Sequence, residues 1–251
     1  MPLPKIDLPI YDLKIISLPE PIKFRPFLVK EEKLLLMALE SEDENTVLST
    51  VKQVINNCLL TEIDIDKIPI FDIEYLFLNI RARSVGENVE TFFVCRNVIG
   101  TDTAEDGSTQ NVECGYPMKI AVNLLEIKPP ISDLQTKLYL NNKIGIQLKY
   151  PSINTFRSIK GLLEGLDSQK VFDLIYDCTD YVFDEFNMYY AKETDKEEFY
   201  SFLESLTQEQ FDKIVLFFES LPTIAHELEH KCEKCEFDHK IRMEGLNDFF
   251  M

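Results

Sequence analysis

The spacing of hydrophobic positions changes character near Lys30, Gly86 and Ser152, and each change predicts a different kind of structure. Residues 1–29 carry six prolines and scatter Ile10, Leu13, Ile15 and Ile16 among polar positions, which predicts an extended N-terminal arm. From Lys30 the period lengthens. Leu34, Met37 and Ala38 share one face of a first helix that has acids early in its run. A second helix, capped by Asn45 or Thr46, carries Leu48, Val51, Val54/Ile55 and Cys58. A third, capped by Asp72, points Ile73, Leu76, Phe77 and Ile80 inward and stops at Gly86, where glycine suits the left-handed residue after a helix. Residues 30–86 therefore predict a helical cluster.

Between residues 87 and 150 the period falls to two. Asn88 to Cys95 and Met118 to Ile127 read as strands on either side of T-D-T-A-E-D-G-S-T-Q-N, a polar loop with the composition of an exposed tip. Leu138 to Leu140 and Ile144 to Tyr150 read as a hairpin around Asn141-Asn142, so the expectation for 87–150 is a small antiparallel β-meander. Helical spacing returns over 151–225. Ser168 caps a run of Val171, Leu174/Ile175, Cys178 and Val182, and Thr194 caps one of Phe199, Phe202/Leu203 and Leu206. Thr207 and Gln210 form a capping box ahead of Phe211, Ile214/Val215 and Phe218, stopped near Pro222. Residues 226–251 read as a cysteine knuckle and a strand (Phe237, His239, Ile241, Met243) that returns to the meander. The fold class is α+β, and no repeat or low-complexity segment interrupts it.

Charge narrows the partners. The chain holds 44 acidic against 26 basic residues, a net charge of −18, which repels phosphate backbones and anionic lipid and argues against nucleic acid and membrane partners. From Lys160 onward 22 acids face 9 bases, marking a solvated or partner-facing acidic surface. No apolar run has the length of a membrane span, and M-P-L-P-K-I-D-L lacks the apolar core of a signal peptide, which predicts a cytosolic protein. In a reducing compartment the six cysteines are thiols or metal ligands. Cys58 and Cys178 fall on apolar helical stripes and read as core residues.

The remaining four carry the chemistry. Cys232 and Cys235 are two residues apart, a spacing that lets both thiolates reach one cation from a tight turn. Cys95 and Cys114 sit at the ends of two strands, and F-V-C with C-G-Y resembles half a zinc ribbon whose knuckle an insertion has lengthened. One reading is a structural zinc site of Cys95, Cys114, Cys232 and Cys235 joining the meander to the C-terminal turn. The alternatives are a terminal site completed by His226, His230 or His239, or four ordinary thiols. His226-Glu227-Leu228-Glu229-His230 matches H-E-x-x-H, the zinc-hydrolase helix, though Glu229 and Lys231 place charges where such helices are buried. The bland reading is an exposed helix end. No Gly-rich phosphate loop or G-x-S-x-G motif is present, and all three histidines lie between His226 and His239, so no catalytic residue is assigned.

Three blocks carry a family resemblance. K-F-R-P-F-L-V-K-E-E-K-L-L-L-M-A-L-E-S (23–41), P-I-F-D-I-E-Y-L-F-L-N-I-R-A-R-S-V-G-E (69–87) and C-E-K-C-E-F-D-H-K-I-R-M-E-G-L-N-D-F-F at the C-terminus resemble, in order, the baseplate hub assembly proteins of T-even-type contractile-tailed bacteriophages. Two departures stand out: the first cysteine pair is split by an insertion, and Glu236 replaces the glycine that follows the last cysteine. The resemblance implies a non-enzymatic, structural or chaperone-like protein of virion morphogenesis. Its partners would be other hub or tail proteins, met in the host cytoplasm during assembly or in the virion's tail baseplate. Phe24, Arg25, Pro26 and Phe27 are the expected partner-binding segment, with Phe27 buried where the arm becomes anchored.

Overall fold

In the computed structural model, which describes residues 6–41, 43–103, 109–129, 134–152, 155 and 168–245, the chain is an α+β protein organised around one helix. Three helices open the fold: α1 (Val29–Glu40), α2 (Glu44–Cys58) and α3 (Ile70–Ser84). Helix α3 is apolar on nearly every side, as a helix buried all round must be, and its sides serve two cores. Ile73, Leu76, Phe77 and Ile80 pack with Val51, Val54, Ile55 and Cys58 of α2, whereas Leu78 and Ala82 pack with Ile120, Val122 and Met243.

The caps differ from those expected. Asp43 caps α2 in place of Asn45 or Thr46, its carboxylate accepting from the Thr46 amide at 2.9 Å. Pro69 occupies the cap of α3, so Asp72 is free for another task. It is fully buried and accepts hydrogen bonds from the amides of Ile16 at 3.0 Å and Ser17 at 2.8 Å. A first-turn carboxylate thereby clamps the N-terminal arm.

The arm does run extended over the body, but as a hairpin. Strands β1 (Tyr11–Leu13) and β2 (Ile22–Phe24) pair antiparallel, and Ile15, Ile22, Phe24 and Phe27 enter the first core. Arg25 donates to the Asn57 carbonyl at 2.8 Å and pairs with buried Glu31 at 3.1 Å, and Glu31 accepts from the Leu28 amide at 2.8 Å. The segment expected to meet a partner packs on the chain's own helices. Pro26 is also buried, and the aromatic side chains of Phe24 and Phe27 have the apolar surroundings they need inside the fold.

After Gly86 (φ 145°) come β3 (Asn88–Val94) and β6 (Pro117–Asn123), paired from Asn88↔Asn123 to Val94↔Pro117. The polar segment between them is a hairpin of its own, β4 (Val98–Thr103) with β5 (Thr109–Glu113); its tip, 104–108, lies outside the described residues. A single meander does not form. Strands β7 (Lys137–Tyr139) and β8 (Gly145–Leu148), with Asn141 Oδ1 capping their turn, belong to a separate sheet of order β10-β9-β8-β7.

The two added strands, β9 (Thr179–Phe183) and β10 (Met188–Tyr190), fall in the stretch read as helical. Helix α4 (Ser168–Cys178) ends where the Thr179 hydroxyl donates to the Ile175 carbonyl at 2.6 Å, and Thr-Asp-Tyr-Val-Phe continues as strand, with Val182 on it. Helix α5 (Lys196–Glu204) is capped by Asp195 in place of Thr194, and α6 (Gln208–Glu219) carries the Thr207/Gln210 capping box. With the four-stranded sheet they enclose a third core of Ile146, Leu148, Phe199, Leu203, Ile214 and Phe217. Tyr150 joins it to α3, set edge-on to Phe71 at 5.2 Å.

The chain closes with β11 (Ala225–Lys231) and β12 (Asp238–Glu244), paired from Ala225↔Glu244 to Lys231↔Asp238. The stretch read as a helix end is thus a strand. Residues 246–251, including Phe249, lie outside the described residues.

Candidate metal centre

Two tight turns meet in a small cluster of their own, where Cys95, Cys114 and Cys232 pack with Met118. The first follows β3: the Cys95 amide donates to the Tyr116 carbonyl at 2.9 Å, the Cys114 amide to Asn97 at 2.8 Å and the Gly115 amide to Cys95 at 2.9 Å. The 16-residue hairpin from Val98 to Glu113 is therefore inserted inside a knuckle that would otherwise read C-x-x-C-G. The second follows β11: the Cys232 amide donates to the Phe237 carbonyl and the Glu236 amide to Cys232, both at 2.9 Å. Gly115 (φ 65°) and Glu236 (φ 57°) take the left-handed residue of the two turns.

These turns bring the four cysteines together, with every ligand atom within 4.8 Å of the others. Cys95 Sγ lies 3.6 Å from Cys235 Sγ, and Cys114 Sγ lies 3.9 Å from Cys232 Sγ. Sulfurs bonded tetrahedrally to zinc at about 2.3 Å stand about 3.8 Å apart, so the donor set and its spacing fit that ion. Cys95, Cys114 and Cys232 are buried and Cys235 is half-buried, which matches a closed structural site and leaves no open position for substrate.

The surroundings separate the thiols electrically. Burial pushes Cys95 up to about 12 and raises Cys114, whereas the Phe237 amide, aimed at the sulfur of Cys235, brings that thiol down to about 6. Asn97 Nδ2 also donates to Cys235 Sγ at 3.6 Å, and His239 Nε2 lies 3.1 Å from Cys95 Sγ. Lys234 Nζ donates to the Cys114 carbonyl at 3.0 Å, and the Tyr116 hydroxyl to Glu233 at 2.8 Å, tying one turn to the other. Burial is the main cause that pushes Cys58 up to about 11 and Cys178 up to about 12, as suits core thiols.

Asn97 was not singled out from the sequence; its position two residues after a cysteine is a knuckle position, but the insertion hides that spacing. His226 and His230 stand four residues apart on β11, about 13 Å along an extended strand. The helix that H-E-x-x-H requires is absent, and Glu227 and Glu229 are exposed on the opposite face, facing Arg242 and Lys240.

Helices, small antiparallel hairpins and a four-cysteine cluster where two knuckles meet define an α+β protein whose sulfurs are grouped closely enough to hold one metal ion. Its family is established by sequence: a family model described as T4 bacteriophage base plate protein matches residues 8–251, and the chain belongs to that family. No curated protein and no solved structure matches the chain.

Proposed function

We propose that the chain is a non-enzymatic protein of the phage tail baseplate that acts in building its central hub, as a component or as an assembly chaperone. The observation that carries this reading is family membership over nearly the whole chain, residues 8–251. The geometry is compatible with it. The H-E-x-x-H residues lie on a strand. No described helix is long and apolar enough to cross a membrane.

In the same reading Cys95, Cys114, Cys232 and Cys235 hold a structural zinc ion, which cross-links the two knuckles. The chain's own contribution is to present four thiols at the right spacing and to keep three of them buried. Partners are other hub or tail proteins, met in the host cytoplasm during assembly.

Infection with phage lacking this gene, complemented from a plasmid, tests the proposal. Tails without hubs in the absence of the plasmid, and normal tails with it, are expected. Normal tails and titre without the plasmid would overturn it.

A further inference from the structure

Among the described residues, the hairpin of β4 and β5 is a segment that the body leaves uncovered. From Val98 to Asp102 and from Thr109 to Glu113 its residues are exposed on both faces. A lone two-stranded hairpin is marginally stable in water, so a ribbon of this kind is completed by what it binds. Its two ends are pinned at Asn97 and Cys114 by the knuckle, which gives it a firm base.

Its composition says what that partner is. Residues 98–113 contain four acids, Asp102, Glu105, Asp106 and Glu113, and no lysine, arginine or histidine. Among them Val98, Ile99 and Val112 are 48%, 51% and 40% exposed. The outer face of β3, which leads through Cys95 into β4, adds Phe92 and Val94 at 69% and 58%. Apolar side chains left in water on a segment with only negative charge match a cationic protein surface with an apolar seat. The ribbon also has strand edges available for main-chain pairing.

We propose that the β4–β5 ribbon and the outer face of β3 form the docking surface by which this chain holds a basic surface of another baseplate protein. The proposal rests on the baseplate reading above. Strand addition and the apolar row supply contact, and the acids supply orientation and rate of encounter.

The insertion provides its own test, because deleting Val98–Glu113 joins Asn97 to Cys114 and restores C-x-x-C-G without removing a cysteine. Phage lacking the gene would be complemented with the full chain, with the ribbon-less chain, or with Asp102→Lys/Glu113→Lys. The same chains would be titrated against each purified baseplate protein of that phage at several salt concentrations. The ribbon-less chain is expected to keep the metal content and melting temperature of the full chain, yet to yield no more plaques than an empty plasmid and to lose binding to one basic baseplate protein. Charge reversal is expected to weaken that binding about tenfold and to flatten its salt dependence. Full complementation by the ribbon-less chain overturns the proposal. If that chain does not fold, unchanged titre and affinity after charge reversal overturn it equally. Failure of the baseplate reading looks different: phage without the gene would then need no complementation at all.

Discussion

Gly115 and Glu236 hold the same left-handed turn in two facing knuckles, at φ 65° and φ 57°. Glycine accepts that conformation without strain, whereas a glutamate pays a steric cost of about 1 kcal/mol, offset in part by its stiffer unfolded chain. Glu236 returns only an exposed ion pair with Lys231 at 3.6 Å, which is worth little. Glu236→Gly is therefore expected to stabilise the protein by about 0.5 kcal/mol, and Gly115→Ala to destabilise it by about 1 kcal/mol. Denaturant midpoints of the metal-loaded proteins measure both.

Removing any one of the four sulfurs tests the cluster. Cys95→Ser, Cys114→Ser and Cys232→Ser are each expected to lose stoichiometric zinc in elemental analysis, because the other half of the joint comes from a distant part of the chain. His226→Ala and His230→Ala should retain it, as neither side chain belongs to the four-sulfur grouping. Zinc that survives Cys95→Ser and Cys114→Ser but is lost with His226→Ala or His230→Ala would place the metal at the C-terminal hairpin alone. Chelation is expected to loosen the β11–β12 hairpin before the helices, read as faster amide exchange there.

Asp72 predicts the behaviour of the arm. Its carboxylate accepts the Ile16 and Ser17 amides while fully buried, so Asp72→Ala leaves two donors without a partner and is expected to cost about 3 kcal/mol. Limited proteolysis should spare the wild-type arm from Tyr11 onward and cut the variant between β1 and β2. Rapid cleavage of the wild-type protein there would contradict the clamp.

Glu31 makes the first core sensitive to acid. Burial pushes its carboxyl up, but the Leu28 amide, Arg25 and Lys30 together outweigh burial and hold it below the ordinary 4.5. The folded state therefore releases this proton more readily than the unfolded one. The stabilisation is complete above pH 4.5 and is lost as pH falls through the lowered value. Glu31→Gln is expected to cost about 2 kcal/mol at neutral pH and to flatten the melting-temperature profile below pH 4.5.

Gly145 lies where β8 passes under its neighbours. A Cβ there would meet the Phe183 ring and stand 2.6 Å from the Leu138 carbonyl oxygen. The ring can yield but the backbone of β7 cannot, so Gly145→Ala is expected to destabilise the four-stranded sheet by about 2 kcal/mol, seen in thermal unfolding.

What could be read from the sequence followed from period and scarcity. The stripe Val51, Val54/Ile55, Cys58 is long enough to declare a helix, and those residues form the first core. The box of Thr207 and Gln210 and the Asn141 turn carry their own local chemistry. Cysteines are few, so two pairs far apart pointed to one cluster. The three-residue strands β1, β2 and β10 are too short for any period to register. Strand β9 starts at the residue after α4 ends, so Val182 extended a helical stripe that the Thr179 hydroxyl had already closed. Thr-Gln-Asn-Val-Glu in β5 has no buried face and so no alternation. At β11 the opposite happened: Glu227 and Glu229 alternate with Leu228 and His230, and a five-residue motif that fits a helix obscured the period of two.

Cys114 and Cys232 meet across 118 positions of chain. At on the order of ten residues per second, the first knuckle leaves the ribosome about ten seconds before the second is made. Throughout that interval a nascent chain offers a metal only two of its four sulfurs, and the sheet and helices between them fold while the joint is still open. Closure of the four-sulfur grouping is thereby postponed to the end of synthesis, and a chain cut short before Cys232 carries a bare pair of thiols at the root of the β4–β5 ribbon. A cell holding both forms can tell them apart by chemistry alone: the finished chain has Cys95 and Cys114 buried against its C-terminal turn, and the fragment presents that pair to every oxidant and thiol reagent around it.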